Sequence, residues 1–159
     1  MEDFNKLVKK DRFQVFLFTC SASMPLSFAR HYWFVCVKKG QISRWEVLFR
    51  KNRCKTSWGH LHLNFLTPFK GIEIIPFYEK FFWKARLAGY IDGKADSIAK
   101  KMVNFIENSN KNYPYCYKYS LTGPNSNTYI QWVISHFSEF KLTLSWNSFG
   151  KHYKIKKNK

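Results

Sequence analysis

"HYWFVCVKKGQISRWEVLFRK", residues 31–51, is the stretch whose reading decides the fold. A run rich in aromatic and β-branched side chains leads to Lys38-Lys39 and a tight turn at Gly40-Gln41. A second run of the same kind, 42–51, leads away from it. Strands joined by so few residues must be antiparallel, because a parallel connection needs a dozen residues or more. Working outward, "RFQVFLFT" (12–19) is apolar throughout and reads as a buried strand. "SASMPLSFAR" makes a loop before the hairpin. "WGHLHLNFL" (58–66) alternates polar and apolar residues, as a half-buried strand does. In "GIEIIPFYE" (71–79), Pro76 interrupts any central strand. "FFWKARLAGYI" (81–91) is a further strand candidate.

The period changes after residue 91. In "DGKADSIAKKMVNFIENSN" (92–110), Ala95, Ile98, Ala99, Met102, Val103 and Ile106 recur at helical spacing. Asp92 is placed to cap this helix, with Lys100 and Lys101 toward water. A second helix is expected from near Ser126 to about His136. Strands early and helices late make the fold class α+β, an antiparallel sheet of about five strands with two main helices. The chain is expected to be one globular domain over 1–153, with a basic C-terminal tail at 154–159.

Composition narrows the function classes. The 159 residues are 45% hydrophobic and 19% aromatic, enough for a packed core. Lys and Arg number 27 against 10 Asp and Glu, a net charge of +17. That excess suits an anionic partner, and a Lys- and Asn-rich composition bias would also produce it. Under the bias reading, Lys38, Lys39, Lys51, Lys55, Lys100 and Lys101 should be exposed on several faces. Under a nucleic-acid reading they should line one groove with Tyr and Trp. There is no basic-then-apolar leader and no apolar run near 20 residues, so neither signal peptide nor membrane span is expected and a cytoplasmic protein is. Cys20, Cys36, Cys54 and Cys116 form no C-x-x-C pair, so reduced thiols are expected and no zinc site. His60 and His62 share one strand face without a nearby carboxylate except Glu73, and a solvated pair is expected there. No metal is expected. No G-x-G-x-x-G or P-loop occurs, so no cofactor is expected either.

"GPNSNTYIQW" (123–132) carries the candidate chemistry. Gly123 and Pro124 set up a turn, and Asn125 or Ser126 can cap the helix that follows. With Asn125 as the cap, Ser126 at the first helical position is free to act beside unpaired backbone amides. A serine hydroxyl needs a base, and His31 is the candidate. Glu46 could orient the imidazole, or form a surface salt bridge with Arg44 or Arg50. A turn centred on Gly40-Gln41 puts His31 opposite about residue 50 and Glu46 opposite about residue 35. That offset separates the two and makes Arg50 the nearer polar neighbour of His31.

The string "YPYCYKYSLTGPNSNTYIQWVI" (113–134), followed by "LSWNSFGKHY" (144–153), resembles an uncharacterised family of bacterial proteins. That family shows a Tyr-Pro-Tyr near a GPNSNTF motif and a later segment ending in Gly-Lys-Asp-Tyr. Its His-Thr-Trp and Tyr-Glu-Val strands are matched here by His31-Tyr32-Trp33 and Trp45-Glu46-Val47. The resemblance runs from about Arg30 to Tyr153, with Tyr32, Trp45, Tyr129 and His152 as departures. At greater distance, the order of a His at a strand start, Glu on the next strand and a small nucleophile opening a helix is similar to circularly permuted papain-like enzymes. These include NlpC-type peptidases and lecithin:retinol acyltransferase relatives. The acyltransferases open that helix with Asn-Cys-Glu-His-Phe, and Ser126 falls in the Cys position. The resemblance implies a permuted papain-like arrangement with Ser126, His31 and Glu46 as catalytic residues. The activity it implies is a hydrolase or acyltransferase acting on an amide or ester. It equally implies an inactive relative that binds a small-molecule, peptide or lipid ligand through Asn125, Asn127 and Thr128. The alternatives are a basic, aromatic-rich nucleic-acid-binding protein and an interaction protein using exposed aromatics.

Overall fold

A computed structural model describes residues 4–72 and 83–155. Its centre is one antiparallel sheet of six strands: β1 (Phe13–Ser21), β2 (Arg30–Lys38), β3 (Gln41–Val47), β4 (Ser57–Trp58), β5 (Leu61–Leu63) and β6 (Arg86–Gly93). Their order across the sheet is β4-β5-β3-β2-β1-β6. Three helices follow: α1 (Ile98–Glu107), the four-residue α2 (Ser109–Asn112) and α3 (Ser126–Ser135). The fold is α+β. Most of "GIEIIPFYE" and the start of "FFWKARLAGYI" lie outside the described residues.

Both faces of the sheet are covered, which is why β1 and β2 read as continuous apolar runs. Phe13, Val15 and Leu17 of β1, with Tyr32, Phe34 and Cys36 of β2, face the helices. There they meet Met102, Val103 and Ile106 of α1 and Tyr129, Ile130 and Val133 of α3. Each such side chain contributes about 1.5–3 kcal/mol by leaving water. The alternate residues Phe16, Phe18, Trp33, Val35 and Val37 face the other way. They are covered by Phe4 of the N-terminal turn, Phe69 and Ile72 of a loop, and Trp83. A bulge on β6 sets two residue steps against one between Leu17 and Phe18.

Four local readings are corrected. The 58–66 stretch is two short strands turning at Gly59-His60, not one. The cap of α1 is Ser97, whose side chain accepts from the Lys100 amide. Asp92 belongs to β6, where it pairs with Lys9 and with Arg12 at 3.6 Å. His62 is fully buried rather than solvated. Its Nδ1 is 2.7 Å from Ser57 Oγ and its Nε2 2.7 Å from the Arg50 carbonyl.

The fourth correction is the hairpin register. Lys39 and Gly40, at φ 50° and 84°, form the two-residue turn, and Lys38 pairs with Gln41. Positive φ at both central positions matches the twist of the flanking strands. The turn sits one residue earlier than a Gly40-Gln41 turn would, so Phe34 pairs with Trp45. Continued outward, this register sets Glu46 across from Trp33 and diagonal to His31, a spacing that long side chains bridge.

All four cysteines are free, and only Cys54 is exposed. Among the described residues no helix is long and apolar enough to cross a membrane, and no cluster of His, Cys, Asp or Glu could hold a metal.

Candidate functional site

The start of α3 is built by Asn125. Its Oδ1 accepts from the amides of Asn127 at 3.0 Å and Thr128 at 3.2 Å, while Thr128 Oγ1 accepts from the Asn125 amide at 3.1 Å. This reciprocal pair satisfies first-turn donors that the helix itself cannot. The same segment is tied to a loop late in the chain. Asn125 Nδ2 and Asn127 Nδ2 both donate to the Phe149 carbonyl, at 3.0 and 2.9 Å. Thr128 Oγ1 donates to the Gly150 carbonyl at 2.7 Å. Asn127 Nδ2 also donates to the Arg30 carbonyl at 3.0 Å, pinning the helix start to the entry of β2. The GPNSNT and FGKHY segments are thus the two halves of one joint.

That joint uses most of the polar groups read from the sequence as ligand-binding. Asn125 and Thr128 are committed to the cap. Asn127 keeps one buried oxygen, Oδ1, without a partner. Ser126 is 5% exposed, and neither its hydroxyl nor its amide is hydrogen-bonded among the described residues. One first-turn amide therefore remains beside the hydroxyl, fewer than the sequence alone suggested.

On the sheet, His31 Nε2 lies 3.2 Å from Glu46 Oε2, and Nδ1 makes no hydrogen bond among the described residues. Glu46 is completely buried and also accepts from Arg44 Nη2 at 2.8 Å. Arg44, equally buried, donates through Nη1 to the Thr67 carbonyl at 2.7 Å and to the Lys70 carbonyl. Its guanidinium carbon sits 4.3 Å from the centroid of the Trp33 ring, which also stacks on His31 at 5.8 Å. The Glu46–Arg44 pair thus exists, in the interior and not at the surface. The sequence signal for it is parity: residues 44 and 46 share a face on a strand otherwise lined by core side chains.

A cleft of about 220 Å³ opens at this end of the sheet. His31, Arg30, Ala29 and Leu48 line it from the strand ends, and Asn125, Ser126 and Asn127 from the start of α3. Phe49, Tyr119, Leu121 and Phe149 supply apolar wall. His31 and Ser126 therefore border one cleft, but no hydrogen bond joins them. The strand alternation puts the His31 ring on the Trp33 face, away from the helical layer. Among the described residues no thiol lines this cleft. Cys20 stands across the ladder from His31, but its Sγ donates to the Ser21 carbonyl and burial pushes it up to about 11. It is a protonated core residue.

Burial lowers the His31 pKa below its usual 6.5, and the bond to Glu46 only partly opposes this. The ring is neutral at pH 7, as a base must be. Burial also lowers His62. Burial pushes Glu46 up, but Arg44 and His31 together overcome it and hold the carboxyl below 4.5. For the two histidines, the unfolded chain binds protons first as pH falls through 6.5. Stability is therefore full above that pH and declines below it, and Glu46 extends the loss below 4.5. The urea midpoint is expected to fall steadily from pH 7 to pH 4, with a shallower decline in His31→Gln. A midpoint flat between pH 7 and 5 contradicts this.

Neither the curated proteins nor the solved structures include a match to this chain. A family described as "Protein of unknown function (DUF3750)" matches residues 12–153, a span that takes in the hairpin, the GPNSNT cap and the Phe149-Gly150 loop. The chain belongs to that family.

Proposed function

We propose that the cleft is an acyl-transfer site, a hydrolase or acyltransferase for an ester or amide, on a permuted papain-like arrangement. The observation that carries this reading is the state of two groups in one cleft. Among the described residues, His31 is fixed through Nε2 with Nδ1 unspent, and Ser126 has an unspent hydroxyl beside an unspent amide. In the first step Ser126 Oγ bonds to the acyl carbon while its proton passes to Nδ1. The carbonyl oxygen takes the negative charge, and the Ser126 amide is the donor positioned to meet it. The C–O or C–N bond then breaks, and the leaving group takes the proton from His31. Water or an acceptor hydroxyl or amine, deprotonated by the same ring, bonds to the acyl carbon; the acyl bond to Ser126 Oγ breaks, and that oxygen takes the proton back from the ring. Glu46 stabilises the transient imidazolium, and Arg44 holds Glu46 in place.

A fluorophosphonate probe tests it. Labelling of the intact chain is expected at Ser126. Ser126→Ala should abolish it, and His31→Ala should slow it by roughly 10²–10⁴-fold.

One observation favours the second reading, an inactive relative that binds an amide or ester. Ser126 and His31 approach the cleft from different layers of the fold and are not bonded to each other. An unlabelled but folded protein decides for that reading.

A further inference from the structure

We infer that the cleft end of the molecule docks on an anionic lipid surface. Phe49 and Trp146 are 75% and 85% exposed, and Met24, Phe28 and Leu121 are each 61% exposed. All but Met24 are tied together. Phe49, Leu121 and Phe149 line the cleft, and Phe28 packs edge-on against Phe149 at 5.9 Å. Trp146 shares the next hollow with Phe149. Single exposed apolar residues need no account, but a contiguous rim of them marks an interaction surface.

Among the described residues no acidic side chain pairs with the cations at this end. Arg30 and Arg50 line the cleft, Lys51, Arg53 and Lys55 follow on the exposed loop, and Lys118 lies beside Tyr117, whose ring Lys51 approaches to 6.0 Å. Glu46, the described carboxylate nearest in sequence to Arg50, is buried on Arg44. The other described carboxylates lie elsewhere. Asp92 pairs with Lys9 and Arg12, and Glu107 with Lys38, both at the end of the sheet where the β2–β3 hairpin turns. Asp11 and Asp96 flank that end, and Glu139 follows the far end of α3. Lysines are spread over the surface, but among the described residues the carboxylates at the surface lie away from the cleft. The described cations at the cleft end therefore keep their charge exposed to an anionic partner.

The rim chemistry selects lipid over nucleic acid. Single strands are held by aromatic platforms within a basic groove. Here Leu121, which has no π face, lines the rim and is as exposed as Phe28. Apolar protrusions that enter the acyl boundary, a tryptophan at headgroup depth and cations on anionic headgroups are the features of interfacial attachment. The surface surrounds the proposed acyl-transfer site but does not depend on its chemistry.

The test is flotation of the full chain with phosphatidylcholine vesicles, with and without about one-third phosphatidylserine. Binding to the anionic vesicles is expected, at least about tenfold stronger than to phosphatidylcholine alone and weakened by salt. Phe49→Ser with Leu121→Ser, and separately Arg50→Glu with Lys51→Glu, should each weaken it by about tenfold or more. Lys101→Glu on α1 should leave it unchanged, and so should Ser126→Ala, which keeps this result separate from the labelling result. The inference is overturned by absence of binding to the anionic vesicles, or by an equal loss with Lys101→Glu. It is also overturned if single-stranded DNA binds the protein with no sensitivity to the Phe49 and Leu121 changes.

Discussion

Arg44→Ala is expected to destabilise the protein by roughly 3–5 kcal/mol, the cost of leaving one member of a buried charge pair alone. Arg44 has no exposed surface, and its guanidinium reaches Glu46, two loop carbonyls and the face of Trp33. Removing it leaves a carboxylate with no exposed surface and, among the described residues, only His31 as a partner. It also removes two of the bonds that tie the loop at Thr67–Lys70 to the sheet, leaving that from Trp33 Nε1 to the Pro68 carbonyl. Arg44→Lys should recover little, since a point charge cannot make the forked set of bonds. Adding Glu46→Gln to Arg44→Ala should recover part of the loss, because the orphaned charge is gone. Urea unfolding at pH 7 measures all three. An Arg44→Ala chain within about 1 kcal/mol of the parent would falsify this account.

Gly150→Ala is expected to cost about 2–4 kcal/mol and to damage the start of α3 at a distance in sequence. Gly150 has φ 85°, where a side chain is strained. A Cβ there would stand 2.5–2.7 Å from the Asn125 side chain, the group that caps α3. Relief requires moving either the cap or the loop whose carbonyls hold Asn125, Asn127 and Thr128. The variant should therefore lose amide-exchange protection in the first turn of α3 more than in β1. Equal loss at both places would show that the glycine matters only for the backbone.

The sheet was legible because its strands are long and both faces are apolar, as in β1 and β2. The cap was legible because Asn-Ser-Asn-Thr after Gly-Pro is local chemistry, and α3 begins at Ser126 as expected. Three things escaped. The His31–Glu46 contact was hidden by one residue of turn placement, since Lys39 gives no sign that it adopts positive φ. The burial of Arg44 depends on carbonyls more than twenty residues later, which no local pattern announces. The role of Phe149-Gly150 is carried by backbone oxygens, and those have no sequence signature. His62 misled because alternation puts it on a face that alone cannot reveal what covers it.

The joint between the GPNSNT turn and Phe149-Gly150 also orders events during synthesis. The sheet and both packing layers are largely encoded before residue 135, so a ribosome-bound chain can collapse early. Asn125, Asn127 and Thr128 cannot all be satisfied until the stretch near residue 150 has left the exit tunnel. The cleft is thus among the last parts to take shape, and a nascent chain halted before that stretch would carry a formed sheet beside an unfinished site.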